Sequence, residues 1–347
     1  MSVEKNAEMK SKGASNSMLP DWLTRQFDQT PQPPAPEPIP SSDPSALTPL
    51  QPRVLLIIFN PIVDAAGRKL ITTLHLNDPD QLARAYIQDI QQCSGGLVNY
   101  QIIERVEANE IPRKADGFQY QVSDYINCYR AHRSFHAPDL VDYGSIIAEF
   151  NLLQRIANDE FDEVWMFGAP YFGFWESTMG GAGAFFTNSD PLPNTERCPR
   201  RFVIMGFSYE RGVGEMLEDL GHRAESSLRQ VYRFKTGNAN LFDRYTRYDQ
   251  VAPRQANVGS LHFAPNSERD YDWGNRKRVL SCCDDWYQFP NLPEPPNYRT
   301  VTAKDWGGGD IRKHHQWWLA HLPKAAGATD GIANNWWQYI IDPNTVD

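Results

Sequence analysis

RVLLIIFNP, residues 53–61, sets six apolar side chains in a row. A half-buried strand alternates and an amphipathic helix repeats every three to four residues, and this run does neither. It reads as a strand covered on both faces, the kind found inside a parallel sheet. Outward from it, the chain alternates. DPDQLARAYIQDIQQCSGG (78–96) has a capping Asp, an apolar row and a Gly-Gly stop, so it predicts a helix; LVNYQIIERVEA (97–108) predicts a strand. VDYGSIIAEFNLLQRIANDEF (141–161) predicts one further helix, DEVWMFGAP (162–170) a third strand and RRFVIMGF (200–207) a fourth, which leads directly into a helix around GEMLEDLGHRAES (214–226). Such alternation points to an α/β fold with a mainly parallel sheet flanked by helices.

The pattern changes at both ends. Residues 1–51 are rich in Ser, Lys, Glu and then Pro, so they read as a disordered leader; within it SMLPDWLTRQF (17–27) has the spacing of a short docking helix, with a partner implied for the leader. From about residue 236 the segments are short and rich in Trp, Asn and Gly, and they read as a long irregular C-terminal wrap. Residues 52–347 are therefore expected to form a single domain, with the sheet core at 52–235 and the wrap at 236–347.

Net charge and hydropathy narrow the function. At −9, with 34 Lys and Arg scattered among 43 Asp and Glu, the chain lacks the basic stripe of a nucleic-acid binder. No apolar run approaches the roughly 18 residues that span a bilayer, and the first residues lack a secretory signal. A cytoplasmic protein is expected, with the leader as a candidate address for a compartment or a dedicated export machine. Five cysteines, an odd number without CxxC spacing, favour reduced, buried thiols over a disulfide framework.

The helix at 214–226 carries the densest chemistry. At 100° per residue, Glu215, Glu218, His222 and Glu225 fall within an arc of about 80°, nearly opposite the apolar row of Val213, Leu217, Leu220, Ala224, Leu228 and Val231. On the helix alone this is a solvated face. Gly214 and Gly221 argue for more: they border the acidic row, each costs about 1 kcal/mol in a helix interior, and such a strip suits close approach by another segment. Covered in that way, the row becomes the wall of a cleft. Glu218-xxx-His222 and His222-xx-Glu225 have spacings at which two helical side chains reach one ion, and His262 and His321 are the candidate ligands from elsewhere.

Other stretches carry candidate chemistry as well. Glu176, in YFGFWES, follows a strand end where open parallel sheets place their ligand crevice. Tyr209 and Arg211, at the next strand-to-helix junction, face the same way. Gly180, Gly181 and Gly183 match no phosphate-binding loop and read as a tight turn. Asp270, Asp272 and Asn275 offer oxygen ligands, but a turn held by side-chain hydrogen bonds is the simpler reading. Nine of the ten tryptophans lie after the leader, as core or as a sugar-binding surface.

DEVWMFGAPYFGFWES, RRFVIMGFSYERGVGEMLEDLGHRAES and DGIANNWWQYIID resemble a set of largely uncharacterised bacterial and fungal proteins, many of them extracellular. The resemblance covers about residues 53–342 and brings no activity or site residue with it.

The reading is a metal-dependent hydrolase acting on a peptide or glycan polymer. A divalent metal, zinc first, is held by His222, Glu218 and Glu225 with His262 and His321; Glu176 or Glu215 is the catalytic base; Trp175, Tyr209 and Arg211 bind substrate. Two alternatives stay open: a metal-independent glycosidase using paired carboxylates, and a non-enzymatic carbohydrate- or protein-binding module.

Overall fold

The computed structural model describes residues 47–347; the leader and its candidate docking helix at 17–27 lie almost wholly outside them. Five strands form the central sheet: β1 (Arg53–Phe59), β2 (Gln101–Ala108), β3 (Glu163–Gly168), β4 (Ser177–Gly180) and β5 (Phe202–Ser208), in the order β2-β1-β3-β5-β4. β1 pairs in parallel with β2 and β3, and β3 with β5; β4 runs antiparallel to β5 at the edge. The expected mainly parallel α/β sheet is what forms. From Val54 to Phe59 every residue of β1 is buried, as its unbroken apolar run requires. The opposite edge, β2, alternates exposed and half-buried side chains, and its Glu104, Arg105 and Glu107 pair with Arg155, Asp80 and Lys69.

Helices α1 (Leu70–Leu74), α2 (Pro79–Cys93) and α3 (Val122–Ala131) precede α4 (Tyr143–Glu149) and α5 (Leu152–Ala157). Asp78 caps α2 by accepting from the backbone N–H groups of Asp80 and Gln81 at 2.8 and 3.0 Å. The single helix expected over 141–161 is two, because Asn151 takes a left-handed conformation (φ 49°) that a helix interior does not tolerate. α6 (Val213–Val231) follows β5 and packs against α2, α8 (Ile311–Ala320) and α9 (Trp336–Ile341). Between α6 and α8 lie α7 (Leu241–Tyr245) and the short antiparallel pair β6 (Val279–Ser281) and β7 (Arg299–Val301); β8 (Lys324–Thr329) and β9 (Ile332–Asn335) pair just before α9.

One charged link ties α6 to the sheet. The Arg223 guanidinium lies 2.7 Å from the carboxylate of Glu163 on β3, with both side chains buried, and donates to the Ile341 carbonyl at 3.0 Å. Tyr100 and the Trp165 indole donate to the same carboxylate at 3.2 and 2.8 Å, so the Glu163 charge is held by two hydrogen bonds besides the guanidinium. Trp165, Trp286, Trp306, Trp318, Trp336 and Trp337 are all fully buried. That places them in the core, and among the described residues no row of exposed indoles is left for a sugar. The five cysteines are free thiols.

Candidate metal centre

α6 would be an ordinary surface helix if nothing lay on its polar side. The C-terminal region covers it. A Cβ on Gly214 would stand 2.7 Å from Ile311 Cγ2, and one on Gly221 would stand 2.2 Å from Leu261 Cδ1. The glycines admit α8 and the loop around residue 261 to distances no side chain allows, and the row they border is buried: Glu218 is 7% exposed. The solvated face read from the helix alone is thus a covered one.

Glu218, His222 and His262 converge there, with their ligand atoms within 4.8 Å of one another. The two Nε2 atoms of His222 and His262 lie 3.2 Å apart. His262 Nε2 is 3.1 Å from Glu218 Oε1, and His222 Nε2 is 3.8 Å from it. Tyr271 donates its hydroxyl to the same Oε1 at 2.7 Å. On the far side of the His262 ring, Nδ1 meets Asp270 Oδ1 at 3.0 Å. A neutral His262 that gives its Nδ1–H to Asp270 turns an Nε2 lone pair toward a carboxylate oxygen, whereas a protonated ring donates to both carboxylates. Two acceptors at that distance repel unless a proton or a cation lies between them.

Glu176 stands at the rim. It precedes β4, accepts from the Asn188 side-chain amide, and brings Oε2 to 3.9 Å from His222 Nε2. Its carboxylate is two-fifths exposed, so the cluster opens to solvent on this side. Burial works to raise the Glu218 carboxyl, but hydrogen bonds from His222, His262 and Tyr271 and the proximity of His315 outweigh it and hold the group well below the usual range. Burial also works to lower His222, and there the Glu218 hydrogen bond and the Glu176 charge win, so its pKa is raised.

The remaining predicted site residues fall elsewhere. His321 is not a ligand here. His314 and His315 of α8 face the cluster, and His321 sits about 9 Å farther along the helix axis, where its Nδ1 meets the Trp317 carbonyl at 2.7 Å. Glu225 is a support and not a ligand: it accepts from the Leu261 N–H and from Arg229, both at 3.0 Å, and so fixes the loop that carries His262. The Glu215 carboxylate is taken by the start of α6, where it accepts from the Gly212 N–H at 3.1 Å. Tyr209 is buried and donates to the Phe59 carbonyl at 2.9 Å, which removes it from substrate binding. Trp175 is half-buried against the core, and Arg211 is exposed with no ion pair among the described residues.

Four residues near the cluster were given no place at it from the sequence. Asp270 and Tyr271 lie in a turn that Asp272 fastens, accepting from the Glu268 N–H at 3.1 Å and from the Asn275 side-chain amide at 2.7 Å, while Asn275 makes an Asx turn by accepting from the Lys277 N–H at 2.7 Å. Nothing in the sequence says that Asp270 leaves this turn for His262. His315 is buried against Gly214, with Nδ1 3.0 Å from its carbonyl and Nε2 without a partner; burial brings its pKa down to about 4. The adjacent pair His314-His315 was the available signal. Asp219, next to Glu218, is buried as well, and burial with the charges of Glu176 and Glu218 pushes its carboxyl well above the usual range.

The cluster lies beside the β4 edge of the sheet. A separate groove of about 460 Å³ opens near the carboxyl end of β1, lined by Asn60, Lys69, His75, Asp80 and Arg105 among others, and shares no residue with the cluster. Compared with known proteins, the chain matches no family model, no curated protein and no solved structure.

Proposed function

We propose that the protein is a metal-dependent hydrolase of peptide or glycan bonds, with a divalent cation of the zinc class held by Glu218, His222 and His262. The observation that carries this reading is the convergence of three ligand atoms, with His262 Nε2 3.2 Å from His222 Nε2 and 3.1 Å from Glu218 Oε1 and its Nδ1 held by Asp270. Two imidazoles and one carboxylate, the imidazole oriented by a second carboxylate, are a donor set that leaves a coordination position free. Bound there, a zinc-class ion supplies an activated water and polarises the bond to be cut.

The chain's own groups divide the remaining tasks. Glu176, exposed and 3.9 Å from His222, is placed to take the proton from an attacking water. Tyr271 fixes the Glu218 carboxylate at 2.7 Å.

Elemental analysis of untagged protein, purified without chelator, tests the centre. One transition-metal equivalent per chain is expected to disappear in His222→Ala while the fold persists by circular dichroism, and a peptidase, amidase and glycanase panel is expected to lose activity with it. Equal metal content in both proteins, or none in either, overturns the reading; a bound metal with no hydrolysis across the panel overturns the hydrolase and leaves the centre.

A further inference from the structure

A second constellation lies on the other end of α8. Cys283 follows β6, His321 ends α8, and the ligand atoms of Cys283, Asp284 and His321 come within 4.8 Å of one another. Cys283 is fully buried and His321 is 1% exposed, whereas Asp284 reaches the surface. The mixture of one thiol, one imidazole and one carboxylate differs from the first cluster in kind: it contains sulfur.

Each partner's existing bonds leave one atom to give. His321 Nδ1 meets the Trp317 carbonyl at 2.7 Å, so its proton is committed there and Nε2 keeps a lone pair; Nε2 is buried and has no hydrogen-bond partner. A neutral ring is what burial enforces, with the pKa brought down to about 4. The Cys283 thiol points at Asp284 Oδ1, 3.4 Å away. Burial and the Asp284 charge push that thiol up to about 12, so it stays protonated by itself. Asp284 is oriented from behind by Arg299, whose Nη2 donates to Oδ1 at 3.0 Å and whose Nη1 is held by Asp305 at 2.6 Å. The same Nη2 lies 3.9 Å from Cys283 Sγ, close enough to favour a thiolate. An orphaned buried nitrogen, a thiol and a carboxylate with a basic group behind it are the donors and the outer support of a metal site.

We propose that Cys283, Asp284 and His321 form a second centre for a thiophilic divalent cation of the zinc class, independent of the cluster on α6. On binding, the ion replaces the thiol proton: the S–H bond breaks, an S–metal bond forms, and one proton goes to solvent for each ion bound. His321 Nε2 and Asp284 supply the second and third bonds, and Arg299 stays on the carboxylate. The ion enters from the exposed Asp284 side. Once seated, it ties the segment after β6 to the C-terminal end of α8, two stretches joined there otherwise through Tyr287, whose hydroxyl lies 3.3 Å from His321 Nδ1.

Cobalt(II) separates this centre from the first, because only thiolate ligation gives an intense sulfur-to-cobalt charge-transfer band. Titration of the reduced, full-length chain is expected to produce that band in the wild type and equally in His222→Ala, and to lose it in Cys283→Ser. His321→Gln keeps the thiol and covers the case in which Cys283→Ser fails to fold; it is expected to weaken cobalt binding by about tenfold or more at unchanged secondary structure. Absence of the band in the wild type, its survival in Cys283→Ser, or unchanged affinity in His321→Gln overturns the proposal. Loss of the band in His222→Ala overturns the independence of the two centres. The result for hydrolysis has no bearing on any of these outcomes.

Discussion

Residues 53–231 and the residues that follow them build in different ways. The first part buries its side chains by repetition, with strands such as β1 and β3 covered throughout and α6 laid over them. The second has short elements and many turns, yet it supplies His262, Asp270 and Tyr271 to one cluster and Cys283, Asp284 and His321 to the other. The sheet and α6 hold a half-site in place, and the irregular region completes it. Regularity serves position here, and irregular chain serves convergence, because a loop can turn a side chain toward a point that no helical or strand period reaches.

The largest blow to that division falls on the sheet side. Glu163→Ala leaves Arg223 charged and buried without its carboxylate, and is expected to cost about 3–5 kcal/mol in urea unfolding. A cost below about 1 kcal/mol would mean that the pair does not anchor α6. Next comes the boundary between the regions. Gly221→Val drives a side chain into Leu261, costs about 1–3 kcal/mol, and shifts the neighbouring His262. Zinc affinity is expected to fall more in this variant than its stability alone explains, although it alters no ligand; unchanged affinity would separate the glycine from the site.

The smallest effect is a pH dependence. The raised pKa of His222 means that in metal-free protein its proton favours the fold below the ordinary histidine value, and this contribution is lost as pH rises through the folded value. Zinc needs the bare nitrogen, so its stabilising effect has the opposite sign. Each pH unit below the folded value costs about 1.4 kcal/mol of zinc binding. The gap in melting temperature with and without zinc is therefore expected to widen from about pH 6 to 8. A gap that stays constant would take His222 out of the ligand set.

Much of the sheet was legible because apolar runs have one reading when they are long. RVLLIIF, EVWMFG and FVIMGFS all form strands in parallel pairing. β4 was not legible: STMG is four residues long and gets its pairing from β5 alone. Nor was α3, which buries only Tyr125 and Ile126 and so shows no apolar row. For the site, Glu218 and His222 could be paired from helical spacing, and the glycine strip foretold a cover. His321 was misplaced for the reason that the others succeeded: spacing along α8 says which face a residue takes, but not which cluster lies at each end. Asp270 and Cys283 could not be assigned at all, since their partners are set by how loops fold over one another.

The guarded outer strand β2 has a consequence at the scale of many molecules. A sheet that ends in bare amide and carbonyl groups invites the strand of a neighbour, and a flat apolar edge would let chains add to one another without limit. Along β2 the exposed Arg105 and Glu107 and the half-buried Glu104 are held in ion pairs, which a second strand would have to break or desolvate in order to pair. The same ion pairs that mark β2 as the end of the sheet make it a poor template for the strand of a neighbour.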